Sequence, residues 1–238
     1  MLPVIIHPTF NVELPSTKTT ISMRPMLVKE EKILLMAREG DEQQDIISAI
    51  KQVVNNCVIT KDVNVDMWSM FDVEWAFLKL RSQSVSNKTK IAINDKDGES
   101  RTFDVNLDEV TMKFPEKIDM DVQVNDTVVI KMQYPPASLY SNKEFLSSTG
   151  SVLIDKLIQH SIEKVFDSKS EANTWPDARG RNYEELQKWI DELDVKTYDK
   201  IREFLNNLPT LFYEIKYKNK DGKEQVVTLS TLSDFFTL

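Results

Sequence analysis

Glycine is scarce in this chain. Five occur in 238 residues, and none lies in a GxGxxG, GxxxxGK[ST] or GxSxG context. Phosphate-cradling loops and nucleophile elbows need clustered glycine, because only a residue without Cβ lets the backbone come so close to a ligand. That argues strongly against nucleotide-binding folds and α/β-hydrolases. Cysteine is scarcer still: Cys57 is alone, which excludes an internal disulfide and a cysteine-built zinc site and suits a reducing, cytosolic compartment. The two histidines, His7 in a proline-rich stretch and His160 at the margin of an apolar face, lack partners recognisable as a catalytic triad or metal site. No apolar run approaches the ~18 residues of a membrane span. Met1-Leu-Pro-Val-Ile-Ile-His-Pro has neither the basic region nor the cleavage site of a signal peptide. Positive charge is also in deficit. A formal net charge of −8 leaves no basic footprint for a phosphate backbone, so neither nucleic acid nor membrane is an expected partner.

Apolar periodicity, by contrast, is plentiful. In Phe71 to Arg81, Phe71, Trp75 and Leu78 form one helical stripe and Val73, Phe77 and Leu80 a second. A helix apolar on two faces must be packed on both sides, so this is the expected central core helix, with Asp72 as its N-cap. Ahead of it, Pro3, Pro8 and Pro15 space out Val4-Ile5-Ile6 and Phe10-Asn11-Val12. Proline removes donors and favours extended backbone, so residues 1–20 read as an arm. Such an arm is either tied to its own domain or added to a partner's sheet edge. A helix is expected from Pro25 to Gly40, with Met26, Leu27, Ile33, Leu34 and Ala37 inward and the Lys29–Lys32 block solvated. Another is expected on Ile46, Ala49, Ile50 and Val53, closed by Asn55-Asn56.

The period then shifts. Lys90–Asn94 and Arg101–Val105 flank a turn at Asp95-Lys96-Asp97-Gly98 and read as a hairpin. Strand-like runs follow at 110–114, 118–124 and 128–132. From Ser151 the pattern is helical through Ile154, Leu157, Ile158, Ile162, Val165 and Phe166. A polar loop at 167–181 with Trp175-Pro176 precedes a helix opened by Asn182 and Glu185 at capping-box spacing. A further helix stops at Pro209, and a second hairpin, 212–217 and 226–229, turns at Asp221-Gly222. The two hairpins, each after an aromatic-rich helix, are either a weak internal repeat or the same turn chemistry reached twice. Neither turn holds cysteine, so Asn94, Asp97, Gly98, Asn219 and Asp221 must shape them unaided.

The expected class is α+β, with two helix–β-hairpin lobes divided as an extended arm 1–20, a helical unit plus antiparallel sheet 21–136, and a helical unit plus hairpin 137–238. No catalytic motif emerges. Acidic pairs such as Glu30-Glu31, Asp119/Asp121 and Glu184-Glu185 would have to converge in a cleft to work as acid and base. Asp95, Asp97 and Glu99 alternate as in a calcium loop, but Asn106 stands where the loop needs glutamate. No cofactor or metal is expected.

Three ordered segments carry a resemblance. They are Leu14-Pro-Ser-Thr with Arg24-Pro-Met-Leu-Val-Lys-Glu-Glu-Lys-Ile-Leu35; Ala49 to Cys57 with Phe71 to Ser82; and Phe204-Leu-Asn-Asn-Leu-Pro209 with Leu232-Ser-Asp-Phe-Phe236. Together they resemble the baseplate hub and hub-assembly proteins of T-even-type contractile-tailed bacteriophages. The resemblance implies a non-enzymatic role in tail morphogenesis, as an assembly chaperone or a minor hub component, whose partners are hub proteins. It further implies residence in the host cytoplasm during assembly or in the tail baseplate, and a possible oligomer within the hub. The alternative is a tail-associated enzyme using acidic residues, such as a cell-wall hydrolase. Candidate partner-facing residues are Ile5, Ile6 and Phe10 in the arm, Met23, Arg24 and Met26 beyond it, and Phe235 and Phe236 at the end. Met23 to Met26 otherwise only lead into the helix, and the phenylalanines otherwise pack back on their own hairpin.

Overall fold

A computed structural model describes residues 3, 5–40, 43–94, 98–169 and 182–236. The fold is α+β, with eight helices and several small antiparallel sheets among the described residues. Two compact units are present. The first comprises Met1–Lys113 and Pro209–Leu238, the second Phe114–Leu208.

In the first unit, β1 (Phe10–Glu13) pairs antiparallel with β2 (Thr20–Met23). The arm is therefore tied to its own domain from Phe10 onward, with Val12, Leu14 and Ile21 buried. Helix α1 (Val28–Glu39) follows, then α2 (Gln43–Cys57), which continues through the Asn55-Asn56 expected to close it. The central helix α3 runs from Met70 to Ser84 and is buried on both predicted stripes at Phe71, Val73, Phe77, Leu78 and Leu80. Its N-cap is Ser69 rather than Asp72, for Ser69 Oγ accepts from the Asp72 N–H at 3.3 Å. Asp72, one turn in and buried, instead receives the Ser69 hydroxyl at 2.6 Å and the Ser16 N–H at 2.9 Å. The carboxylate thus stitches the arm to the core helix, since a buried charge persists only where donors surround it.

Strands β3 (Lys88–Asn94) and β4 (Ser100–Asn106) form the expected first hairpin, with Lys88 opposite Asn106 and Asn94 opposite Ser100. Its turn residues 95–97 lie outside the described residues, while Gly98 takes a φ of +78° that suits its missing Cβ. Strand β5 (Thr111–Lys113) closes this part of the chain.

The second unit begins with β6 (Asp121–Gln123) and β7 (Val128–Met132), then the one-turn α4 (Lys143–Leu146) and α5 (Gly150–Ser161). Helix α5 ends at Ser161, short of the expected run. Ile162, Val165 and Phe166 belong to β8 (Ile162–Asp167), which pairs with the open edge of β7. Their spacing continues the helical stripe, but β-branched residues beside an unpaired edge gain more as a strand. The loop at Trp175-Pro176 lies outside the described residues. Helix α6 (Tyr183–Asp191) is capped by Asn182, whose side chain accepts from the Glu185 N–H at 3.2 Å. Helix α7 (Val195–Asn206) is capped by Asp194. Ile130, Met132, Ile158, Ile190, Ile201 and Phe204 form the centre of this unit's core.

The chain then returns to the first unit through β9 (Thr210–Lys218), β10 (Glu224–Leu229) and the one-turn α8 (Leu232–Phe235). This second hairpin was expected with residues 137–238; it lies instead with the first unit, so the compact units do not follow a division at residue 136. The reason is long-range pairing. β9 is sandwiched between β10 and β5 in a three-stranded sheet, and Leu211, Ile215 and Leu229 are buried. Both hairpins thus stand in one unit, with the Phe103 and Tyr217 rings 5.2 Å apart.

Candidate interaction surface

Helix α1 contains six apolar residues, yet the one residue it buries completely is Glu30. Glu30 is held by a two-pronged pair with Arg24, whose Nη2 and Nη1 donate to its two oxygens at 2.9 and 3.2 Å. Its carboxylate also accepts the Leu27 backbone N–H at 3.0 Å, satisfying a free donor at the helix start. Burial pushes the Glu30 carboxyl up, but the Arg24 and Leu27 hydrogen bonds outweigh it and leave the pKa below the usual range. Arg24 further donates to the Asn56 carbonyl at 2.9 Å, joining the start of α1 to the end of α2. Beside it, Cys57 is a buried thiol. Desolvation pushes it up to about 11, which leaves it an apolar filler and not a nucleophile.

With its start pinned by charge, α1 leaves apolar side chains in solvent. Val28 is 66% exposed, Leu35 52% and Met36 71%, and they fall along one side of the helix. Val28 and Leu35, together with Leu34 and Ala37, border a groove of about 440 Å3, and Met36 does not line it. The groove's remaining walls come from α2 at Ile46 and from α3 at Phe77, Arg81 and Ser84, while Phe236 closes one side. The Phe77 and Phe236 rings meet edge to face with centroids 5.9 Å apart. Ser84 braces the wall, its hydroxyl donating to the Leu80 carbonyl and accepting from the Met26 N–H at 2.8 Å.

The eight candidate residues are therefore scattered by role. Met26 and Phe236 line the groove. Met23, 0% exposed, and Phe235, 1% exposed, are core residues of this unit and present no surface to a partner. Phe235 is held by α8, whose Asp234 caps its start by accepting from the Ser230 and Thr231 N–H groups at 2.7 and 2.8 Å. Arg24 is engaged by Glu30, as above. Phe10 is half-buried in β1, and Ile5 and Ile6 are exposed on the unpaired segment that precedes it. Sequence reasoning missed Val28, Leu35 and Met36, whose apolar character was the available signal.

A second groove, of about 270 Å3, lies in the other unit between Lys117, Ile118 and Asp119 on one side and Lys200, Glu203 and Asn207 on the other. Charges of both signs line it. Half-buried Glu74 on α3 lines neither groove; desolvation, with Asp234 adding, pushes it up to about 7. His160 rests on Tyr183, with the phenol oxygen 3.3 Å from Nδ1. Among the described residues no group of three potential metal ligands is gathered, and no helix is long and apolar enough to cross a membrane.

No curated protein and no solved structure matches the chain. A family model described as T4 bacteriophage base plate protein does, over residues 7–237, so the match takes in the α1 groove, both hairpins and the whole second unit. The chain belongs to the T4 bacteriophage base plate protein family.

Proposed function

We propose that this base-plate protein works at the hub of the tail, as an assembly factor or minor hub component, and acts through protein contacts without catalysis. The observation that carries this reading is the apolar row of α1 lying in solvent beside a groove. A helix whose start is fixed by a buried ion pair has no need of exposed Val28, Leu35 and Met36 for its own stability, and such patches mark protein interaction sites. Ile5 and Ile6, 72% and 91% exposed, supply a second apolar element suited to the same work. Met26 and Phe236 belong to this docking face. Synthesis in host cytoplasm followed by a stay in, or departure from, the tail fits either form of the role.

The test pairs mass spectrometry of purified phage particles with capture of partners by the tagged chain from infected cells. Defined copy number in the particle identifies a hub part. Absence from the particle together with captured hub proteins identifies an assembly factor. Absence from particles and from hub complexes alike would overturn the reading.

A further inference from the structure

The charges around the α1 groove are unbalanced in an informative way. Arg38 and Arg81 both line it, and neither guanidinium has an acceptor among the described residues. This occurs in a chain whose net charge is −8, where carboxylates are abundant. Each arginine sits in the last turn of its helix, α1 and α3 respectively, where the carbonyl end of the helix dipole favours a cation. Arg81 is half-buried, and its guanidinium has no acceptor among the described residues. The single acid on the groove, Glu31, bonds neither of them. The groove's hydroxyls are already engaged, Ser84 as described and Thr89 with the Phe235 carbonyl at 3.4 Å. What remains open is an apolar trough with two cations that lack acceptors among the described residues.

We propose that this groove receives an acidic amphipathic helix of another base-plate protein, its apolar face in the trough and its carboxylates on Arg38 and Arg81. This rests on the preceding reading and specifies the chemistry of the partner. The walls are mainly helix side chains, which offer apolar contact and charge, so a helix laid in a groove fits better than an added strand. Two-pronged arginine–carboxylate bonds would fix the orientation of that helix.

Labelled peptides tiling the phage's own base-plate proteins, titrated with the full chain, provide the test. The tightest tiles should be amphipathic helices carrying Asp or Glu beside the apolar face. Arg81→Gln should weaken them about tenfold. Arg38→Glu, at an exposed position, should weaken them about threefold, more at low salt, with an unchanged melting curve. The Arg38→Glu/Arg81→Glu pair should come to prefer the same tiles with Lys in place of their acids. Tiles that bind equally well after their acids become amides would overturn the assignment while leaving base-plate contact intact. So would tighter tile binding by a chain ending at Phe236, or salt-sensitive self-association lost with Arg38→Glu, since the occupant would then be its own terminus or a second copy. If hub proteins are captured but no tile binds, the groove assignment falls alone; if none is captured, the reading beneath it falls too.

Discussion

Helices α1 and α3 lie in the same unit and are both rich in apolar residues, but they spend them differently. α3 buries both of its stripes, down to Leu78 and Leu80 at the centre of the unit. α1 buries a carboxylate and exposes a row of hydrophobes. One helix is held by packing, the other by a charge pair at its start and by partial cover along one side. Apolar surface in α3 is thus structural. In α1 part of it, at Val28, Leu35 and Met36, stays in solvent.

The largest effect that probes this contrast is expected at Phe77. The ring is 1% exposed and meets Phe236 edge to face, so Phe77→Ala leaves a cavity and an unsupported groove wall. A loss of about 3–5 kcal/mol in unfolding free energy is expected, measured by urea denaturation. A loss of under about 1 kcal/mol would mean that α3 is not the packing centre.

How much of this was legible follows the same divide. The two stripes of α3 and the alternation of β3, β4, β9 and β10 are local patterns, so they can be read without a structure. The choice between Ser69 and Asp72 as cap was not, since both are good caps three residues apart and only Ser16, far away in the chain, decides that Asp72 is drawn inward. β8 was hidden because Ile162, Val165 and Phe166 satisfy helical spacing; the open edge of β7 settles it. The membership of β9 in the first unit depends on β5, about a hundred positions earlier, and no local signal carries that. Met26 and Phe236 both stood among the partner-facing candidates and both line the groove, but a pattern cannot say which of α1's apolar residues finds cover, so Leu35 and Met36 went unassigned.

Buried Glu30 and half-buried Glu74 sharpen the comparison through pH. Glu30 on α1 has Arg24, and its pKa is lowered; its stabilising contribution is present above the unfolded value and is lost as pH falls through the folded one. Glu74 on α3 has no hydrogen-bond or ion-pair partner among the described residues. Burial comes first and Asp234 second in raising it from 4.5 to about 7, so here the sign reverses. The stability it permits is complete below about 4.5 and declines as pH rises toward and through about 7. Glu74→Gln should therefore be more stable than the parent at pH 8, by about 2–3 kcal/mol, with the gain fading toward pH 5. Parallel urea curves for the two chains across that range would show that Glu74 does not titrate in the window.

The smallest effect on stability is expected where the binding argument leans hardest. Replacing Leu35 and Met36 together by Ala removes two large side chains, exposed by 52% and 71%. Helix propensity changes little, because leucine and methionine are already close to alanine in a helix interior. No cavity forms, for neither side chain is enclosed. The unfolding free energy should stay within about 0.5 kcal/mol of the parent, against the several lost at Phe77. Urea denaturation of the double variant beside Phe77→Ala decides the matter on one scale. A matching loss at both helices would mean that α1's hydrophobes already do internal packing work, and the distinction between a helix that holds the unit together and a helix that faces outward would collapse. No loss at α1, with base-plate capture weakened in the same variant, would place the surplus apolar surface at the partner.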